Sequence, residues 1–242
     1  MELLKDNIIG ELVAQNYRAA SVFKKYGIDF CCQGNRTIDD ACIDKNIDTP
    51  SIINDLNLAI SQQDEKTIDY KSWPLDLLAD YIEKTHHRYV VAKTLEIKPY
   101  LDKICEVHGG NHSELLEIKE HFLMSTQALS EHMKNEEQIV FPYIREIVKA
   151  KNEKSQIEKP SFDTVQTPIE LMMNEHELEG ERFRKISELS NDYNTPVDAC
   201  NTYRVTFALL KEFEEDLHLH IHLENNILFP AAIKLEKEFS IS

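Results

Sequence analysis

The chain has 242 residues, 42% hydrophobic and 29% charged, with a formal net charge of −16, a composition that supports a packed core and suits water. That acidity excludes nucleic acid and anionic lipid as electrostatic partners, because phosphate contacts need clustered Lys and Arg. No apolar run approaches the roughly 18 residues of a membrane span, and "MELLKDNIIGELV" mixes charge into its apolar spacing, so it does not read as a signal peptide.

Six glycines and eight prolines in the whole chain point to long helices and an all-α fold. Residues 1–60 read as a small helical domain. Ile9, Leu12, Val13, Tyr17, Ala20, Val22 and Phe23 make one helical pattern that stops at Gly27. Thr37 with Asp40 resembles a capping box opening a short helix. Thr49 as cap, with Pro50 at the first helical position, opens another. Residues 61–73, "SQQDEKTIDYKSW", are polar without apolar period and mark a linker.

A second domain spans 74–242, with four long periodic segments at about 74–107, 112–151, 166–191 and 196–239. They are separated by "HGGN" at 108–111, by a polar stretch at 152–164 that reads as a flexible surface loop, and by "NDYNTP" at 191–196. Four helices with short connections predict an antiparallel four-helix bundle.

Two of the segments carry the same pattern. "HMKNEEQIVFP" (132–142) and "HIHLENNILFP" (220–230) each place Glu four residues after His, and Phe-Pro five and six residues after that Glu. Leu129, His132, Glu136, Val140, Tyr143 and Ile147 form one helical stripe. Phe213, Leu217, His220, Glu224, Leu228 and Ala231 form another. By the same phase His218 and His222 fall with Glu214 and Asn226 on a polar face. A lone His on an apolar face is usually a hydrogen-bonded core residue, and a lone His-to-Glu pair is usually surface decoration. Two copies in register on core stripes point instead to a metal, because an uncompensated carboxylate there is costly.

The third segment offers His176, on a stripe with Ile169, Met172, Gly180 and Phe183. The first offers His86 or His87. Repeat spacing favours His87, whereas the cleaner apolar stripe, Leu78, Ile82 and Tyr89, runs through His86. Four imidazoles and two carboxylates are too many for one tetrahedral zinc and suit two metals bridged by the carboxylates, iron or manganese by donor type. Glu175, beside His176, reads as part of a solvated face, with support of a ligating ring as the alternative, and His108 and His112 receive no role.

Five cysteines do not make a secreted disulfide framework. Adjacent Cys31 and Cys32 have Cα atoms about 3.8 Å apart, short of the usual ~4.4–6.8 Å for a disulfide, so reduced thiols in the cytosol are expected. Cys42, Cys105 and Cys200 read as core residues.

The doubled His-x-x-x-Glu ending in Phe-Pro resembles the hemerythrin-like bundle. "YGIDFCCQGNRTIDDAC" (26–42) resembles the small cysteine-containing domain of the repair-of-iron-centres family, and "THHRY" (85–89) and "NEHE" (174–177) are similar to that family too. Gln33 stands where members often have another Gly. The resemblance implies repair of iron–sulfur clusters damaged by oxidative or nitrosative stress, through a non-haem, oxo-bridged di-iron centre in the cytoplasm. It implies a repair or iron-delivery protein rather than a classical turnover enzyme. His87, His132, His176 and His220 would be terminal ligands, Glu136 and Glu224 would bridge, and Cys31 and Cys32 would be the reactive thiols. Damaged iron–sulfur proteins would be the partners, with nitric oxide or oxygen as small ligands and a homodimer as the assembly. A hemerythrin-type oxygen or nitric oxide carrier or sensor is the alternative, although that class uses five histidines, and a purely structural helical protein is a third reading.

Overall fold

The computed structural model describes residues 3–61, 68–158 and 160–239. Four helices open the chain: α1 (Ile9–Gln15), α2 (Arg18–Lys25), α3 (Ile38–Lys45) and α4 (Thr49–Ser61). The single pattern expected over residues 9–23 is therefore two helices. Asn16 leaves helical geometry at φ −151°, ψ 102°, and its side-chain oxygen accepts the Arg18 N–H at 3.1 Å, a local competitor for the backbone that restarts the helix. Gly27, at φ 65°, stops α2 in the left-handed region. Thr37 Oγ1 accepts the Asp40 N–H at 3.0 Å, as the capping pattern anticipates. At α4 it is Asp48, not Thr49, that accepts the Ser51 N–H, at 3.1 Å. Thr49 donates instead to Asp39.

Of the expected linker, residues 62–67 lie outside the described residues. Ser61 ends α4, and Tyr70–Ser72 form a single 3-10 turn whose Tyr70 packs against Trp73 and Tyr81.

Four rods follow. The first is α5 (Leu75–Tyr81), a π turn (Ile82–His87) and α6 (Arg88–His108). The second is α7 (Glu114–Asn135), a π turn (Glu136–Val140) and α8 (Phe141–Glu153). The third is α9 (Gln166–Leu189). The fourth is α10 (Asn201–Leu223), a π turn (Glu224–Leu228) and α11 (Phe229–Phe239). The fold is an all-α bundle preceded by a small helical domain, with no strand among the described residues. None of the helices is long and apolar enough to cross a membrane.

The two Phe-Pro pairs explain two of the π turns. Pro142 and Pro230 have no N–H to return to the carbonyl four residues back, and their rings crowd it. The preceding Phe141 and Phe229 N–H groups reach five residues back, to Glu136 and Glu224. Such wide turns recur at functional sites. One bundle layer is aromatic: Phe213 packs against Phe122 and Phe183 at 5.4 and 5.5 Å, and burying each ring contributes about 1.5–3 kcal/mol.

In the connection after α8, Lys159 lies outside the described residues. Its far end is fastened, with Phe162 against Tyr143 at 5.2 Å and the Val165 N–H on Glu236 at 2.8 Å, so that part of the stretch is not the free loop expected.

The supposed polar face of α10 is covered. The amino-terminal domain docks there, with Phe30 against His218 and His222, Tyr17 against His222, and Lys24 paired to Glu214 at 3.4 Å. His222 and Glu214 are consequently buried. A stripe reading of one helix cannot see that a second domain supplies partners for its polar side. Two cysteine expectations also change: Cys42 is in the core, but Cys105 is half-buried and Cys200 is exposed. Cys200 precedes the first turn of α10, where the chain is still at the surface.

Candidate metal centre

The first, second and fourth rods reach the site through their π turns, and the third through the middle of α9. His87 ends one π turn, Glu136 and Glu224 begin the others, and His132 and His220 stand one α-helical turn before their glutamates. His176 enters from α9. All six side chains are buried, with Glu136 and Glu224 at 0% exposure.

The six form two overlapping sets. His87, Glu136, His220 and Glu224 bring one donor atom each within 4.8 Å of one another, as do His132, Glu136, His176 and Glu224. The glutamates belong to both sets, one oxygen to each. Glu136 Oε2 lies 3.3 Å from His87 Nε2, and its Oε1 lies 3.3 Å from His132 Nε2. Glu224 Oε1 lies 3.2 Å from His220 Nε2, and its Oε2 lies 3.2 Å from His176 Nε2. The structure thus brings together every histidine and glutamate singled out in the sequence, and of the two neighbours it places His87 in the cluster. Phe141 stacks on His87 and Phe229 on His176, so the Phe-Pro pairs also roof the site.

His86 is equally buried but turns to Asp216, its Nδ1 2.9 Å from Oδ1, and stacks on His220. Cys31 and Cys32 are not in either set. Their thiols are unbonded, 3.8 Å apart, and form a separate group with Asp29 beside α9.

The outer nitrogens of the rings have partners of which sequence reasoning raised only Glu175. His87 Nδ1 meets Glu137 at 2.8 Å, His132 Nδ1 meets Glu175 at 2.7 Å, and His176 Nδ1 meets Asn225 at 2.8 Å. Glu175 is therefore not simply solvated. Each support residue is the chain neighbour of one cluster residue but serves a histidine on a different rod, since a one-residue step turns a helix by about 100° toward its neighbour. A polar residue immediately beside each candidate donor was the available signal.

These partners fix the Nδ1 atoms of His87, His132 and His176 as N–H donors, so each inward Nε2 is the atom that either takes a proton or offers its lone pair to a cation. Both oxygens of Glu136, Oε2 of Glu224 and Nε2 of His87 are buried without a hydrogen-bond partner. Orphaned buried acceptors cost several kcal/mol apiece if ionised and uncompensated (~1–3 kcal/mol if neutral). Burial pushes the Glu224 carboxyl up, yet His220 and His176 outweigh it and hold it well below the usual range. Burial and the Glu224 charge push Glu136 up, but His132 and His87 leave it lowered. Burial pulls His132 down, but Glu136 and Glu175 raise it well above an ordinary imidazole, and His87 is raised the same way. His220, without an outer partner, stays lowered by burial. Protons compensate the two carboxylates here, and a pair of cations would do so at the same positions. Imidazole and carboxylate without thiolate fit iron or manganese.

A four-helix bundle with two histidine sets sharing a pair of carboxylates defines a hemerythrin-like cation-binding architecture. Residues 79–232 match the family model described as "Hemerythrin HHE cation binding domain", and residues 5–60 match "Domain of Unknown function (DUF542)". The chain is 30% identical over 227 residues to the iron-sulfur cluster repair protein ScdA of Staphylococcus haemolyticus (strain JCSC1435), covering 94% of this chain and 98% of that protein. It is 32% identical over 229 residues to the iron-sulfur cluster repair protein YtfE of Escherichia coli O81 (strain ED1a), covering 95% and 97%. The chain belongs to the repair-of-iron-centres family, in which a small cysteine-containing domain precedes a hemerythrin-like bundle.

Proposed function

We propose that this protein holds two oxo-bridged, non-haem iron ions and uses them in the cytoplasm to repair iron–sulfur clusters damaged by oxidative or nitrosative stress. His87 and His220 would hold one ion and His132 and His176 the other, with Glu136 and Glu224 shared between them. The observation that carries the reading is that each glutamate turns one oxygen to each histidine pair. A closed structural site would saturate one ion with four ligands. Six side chains shared between two ions would leave coordination open to an incoming ligand. The bound pair supplies iron for transfer, redox chemistry or nitric oxide binding. The residues would hold it buried under Phe141 and Phe229, and the Cys31–Cys32 thiols lie beside α9 for exchange with a client protein.

The supporting names belong to relatives, which are iron-sulfur cluster repair proteins. The test is metal analysis with optical spectroscopy, followed by reactivation of a nitric-oxide-damaged [4Fe–4S] enzyme. About two irons per chain, an oxo-bridge absorption lost on reduction, and recovery dependent on the loaded protein are expected. Zinc, no metal, or recovery unaffected by Glu136→Gln overturns the reading.

A further inference from the structure

Asn225 directly follows Glu224 inside the π turn of the fourth rod and is buried. Its Nδ2 donates to the Cys31 carbonyl at 3.2 Å, and its Oδ1 meets His176 Nδ1 at 2.8 Å. The orientation of the amide follows from chemistry. A carbonyl only accepts, so the nitrogen must face Cys31 and the oxygen must face His176. The His176 Nδ1 must then carry the proton, which leaves Nε2 free for a cation. One side chain therefore sets the tautomer of a candidate ligand while resting on the dicysteine turn.

Further contacts bind the same turn to the same place. Cys32 Sγ donates to the His176 carbonyl at 3.3 Å, and Asn226 Nδ2 donates to the Phe30 carbonyl at 3.2 Å. Gly180, one turn beyond His176, gives the thiol room, since a Cβ there would stand 3.1 Å from Cys32 Sγ. Among the described residues, the other outer partners, Glu137 and Glu175, make no such link to the amino-terminal domain. Among the described residues, His176 is the one imidazole of the centre held through a residue that the thiol turn also holds.

We infer that Asn225 is a positioning residue that couples cation loading at the His132–His176 half of the centre to docking of the Cys31–Cys32 turn. This rests on the two-cation reading above. Binding linkage is reciprocal. If a seated turn strengthens the cation's hold, a bound cation must hold the turn, by the same factor. Cation binding therefore shields Cys32 from reagents, and loss of the turn's grip loosens one ion rather than both.

The test uses the full chain and manganese(II), a hard ion that thiols take poorly. Manganese is titrated by electron paramagnetic resonance, and alkylation of Cys32 is timed by mass spectrometry with exposed Cys200 as internal reference. In wild type, two ions bind and Cys32 alkylation slows on loading while Cys200 alkylation does not. In Asn225→Ala, one of the two sites weakens about 10–100-fold, the usual cost of losing an outer partner, and the slowing disappears. Asn225→Asp keeps an acceptor for His176 but turns an oxygen on the Cys31 carbonyl, so it binds both ions yet loses the slowing. Wild-type binding of two ions with no change at Cys32 overturns the inference alone, as does Asn225→Ala with two unweakened sites. Failure of wild type to bind two ions overturns the two-cation reading and the inference with it.

Discussion

His132 and His176 aim their Nε2 atoms at one another across 2.9 Å, while their Nδ1 atoms are committed to Glu175 and Asn225. Two lone pairs do not settle at that distance, so something positive lies between them. In the cation-free protein it is a proton, consistent with His132 being raised well above the ordinary imidazole value by Glu136 and Glu175 against the pull of burial. Cation binding must displace that proton, so affinity falls as the pH drops, by about tenfold per pH unit for each proton released. Calorimetry of iron(II) or manganese(II) binding in buffers of different ionisation enthalpy measures the release. Heats independent of the buffer would contradict it.

Because both sets use Glu136 and Glu224, the glutamates and histidines differ in what their loss does. Glu136→Gln removes charge from both sites, and the two ions are lost together. His87→Ala strips one terminal donor from the His87–His220 set only, and His176→Ala strips one from the other. Each histidine variant keeps one ion near wild-type affinity and weakens the second by tenfold or more, at least ~1.4 kcal/mol. Stoichiometry by metal analysis after dialysis decides it. Loss of both ions from His87→Ala would mean the halves do not bind independently.

The all-α bundle, its four rods and the paired motifs are legible in the sequence because amphipathic period and short connections dictate them. The limits of that legibility are local. The stripe through Leu78, Ile82 and His86 assumes 3.6 residues per turn, but Ile82–His87 is a π turn. It inserts an extra residue, so the step of five from Ile82 brings His87 to the cluster while His86 remains buried beside it. No proline follows to announce this π turn, unlike the other two. Repeat spacing points to the neighbour that lies in the cluster because it compares like positions in two rods without assuming a pitch. The docked face of α10 was unreadable for another reason: Glu214, His218, His222 and Asn226 look like a solvated side until the partner domain is placed on it.

His222 makes that docking acid-sensitive. Its Nδ1 accepts from Asn226 Nδ2 at 3.0 Å, and its ring packs against both Tyr17 and Phe30. Burial lowers its pKa to about 3, and burial lowers His218 as well. The unfolded chain, with imidazoles near ~6.5, binds protons that the folded chain refuses. The stabilisation is complete above that pH and is lost as pH falls toward 3, by about 1.4 kcal/mol per unit for each such group. Urea unfolding of the cation-free protein at pH 7 and pH 5 should show His222→Gln losing about 2 kcal/mol less than wild type. Equal losses would place no titration at His222.

The cysteines should react in the reverse of the order that pairing implies. Cys200 stands at the amino end of α10, with the Tyr203 N–H and His108 Nε2, the latter at 3.2 Å, stabilising its thiolate. Its pKa is lowered to about 7. Cys31 is buried against Cys32 and Asp29, and those neighbours, with burial, hold it well above the usual thiol. Since the thiolate is the nucleophile, iodoacetamide at pH 7 modifies Cys200 first, with a rate midpoint near pH 7. In His108→Gln that midpoint moves upward but stays below an ordinary thiol's, because the Tyr203 N–H remains. Faster labelling of Cys31 than Cys200 in the folded protein would mean the thiol turn is not seated where the bundle holds it.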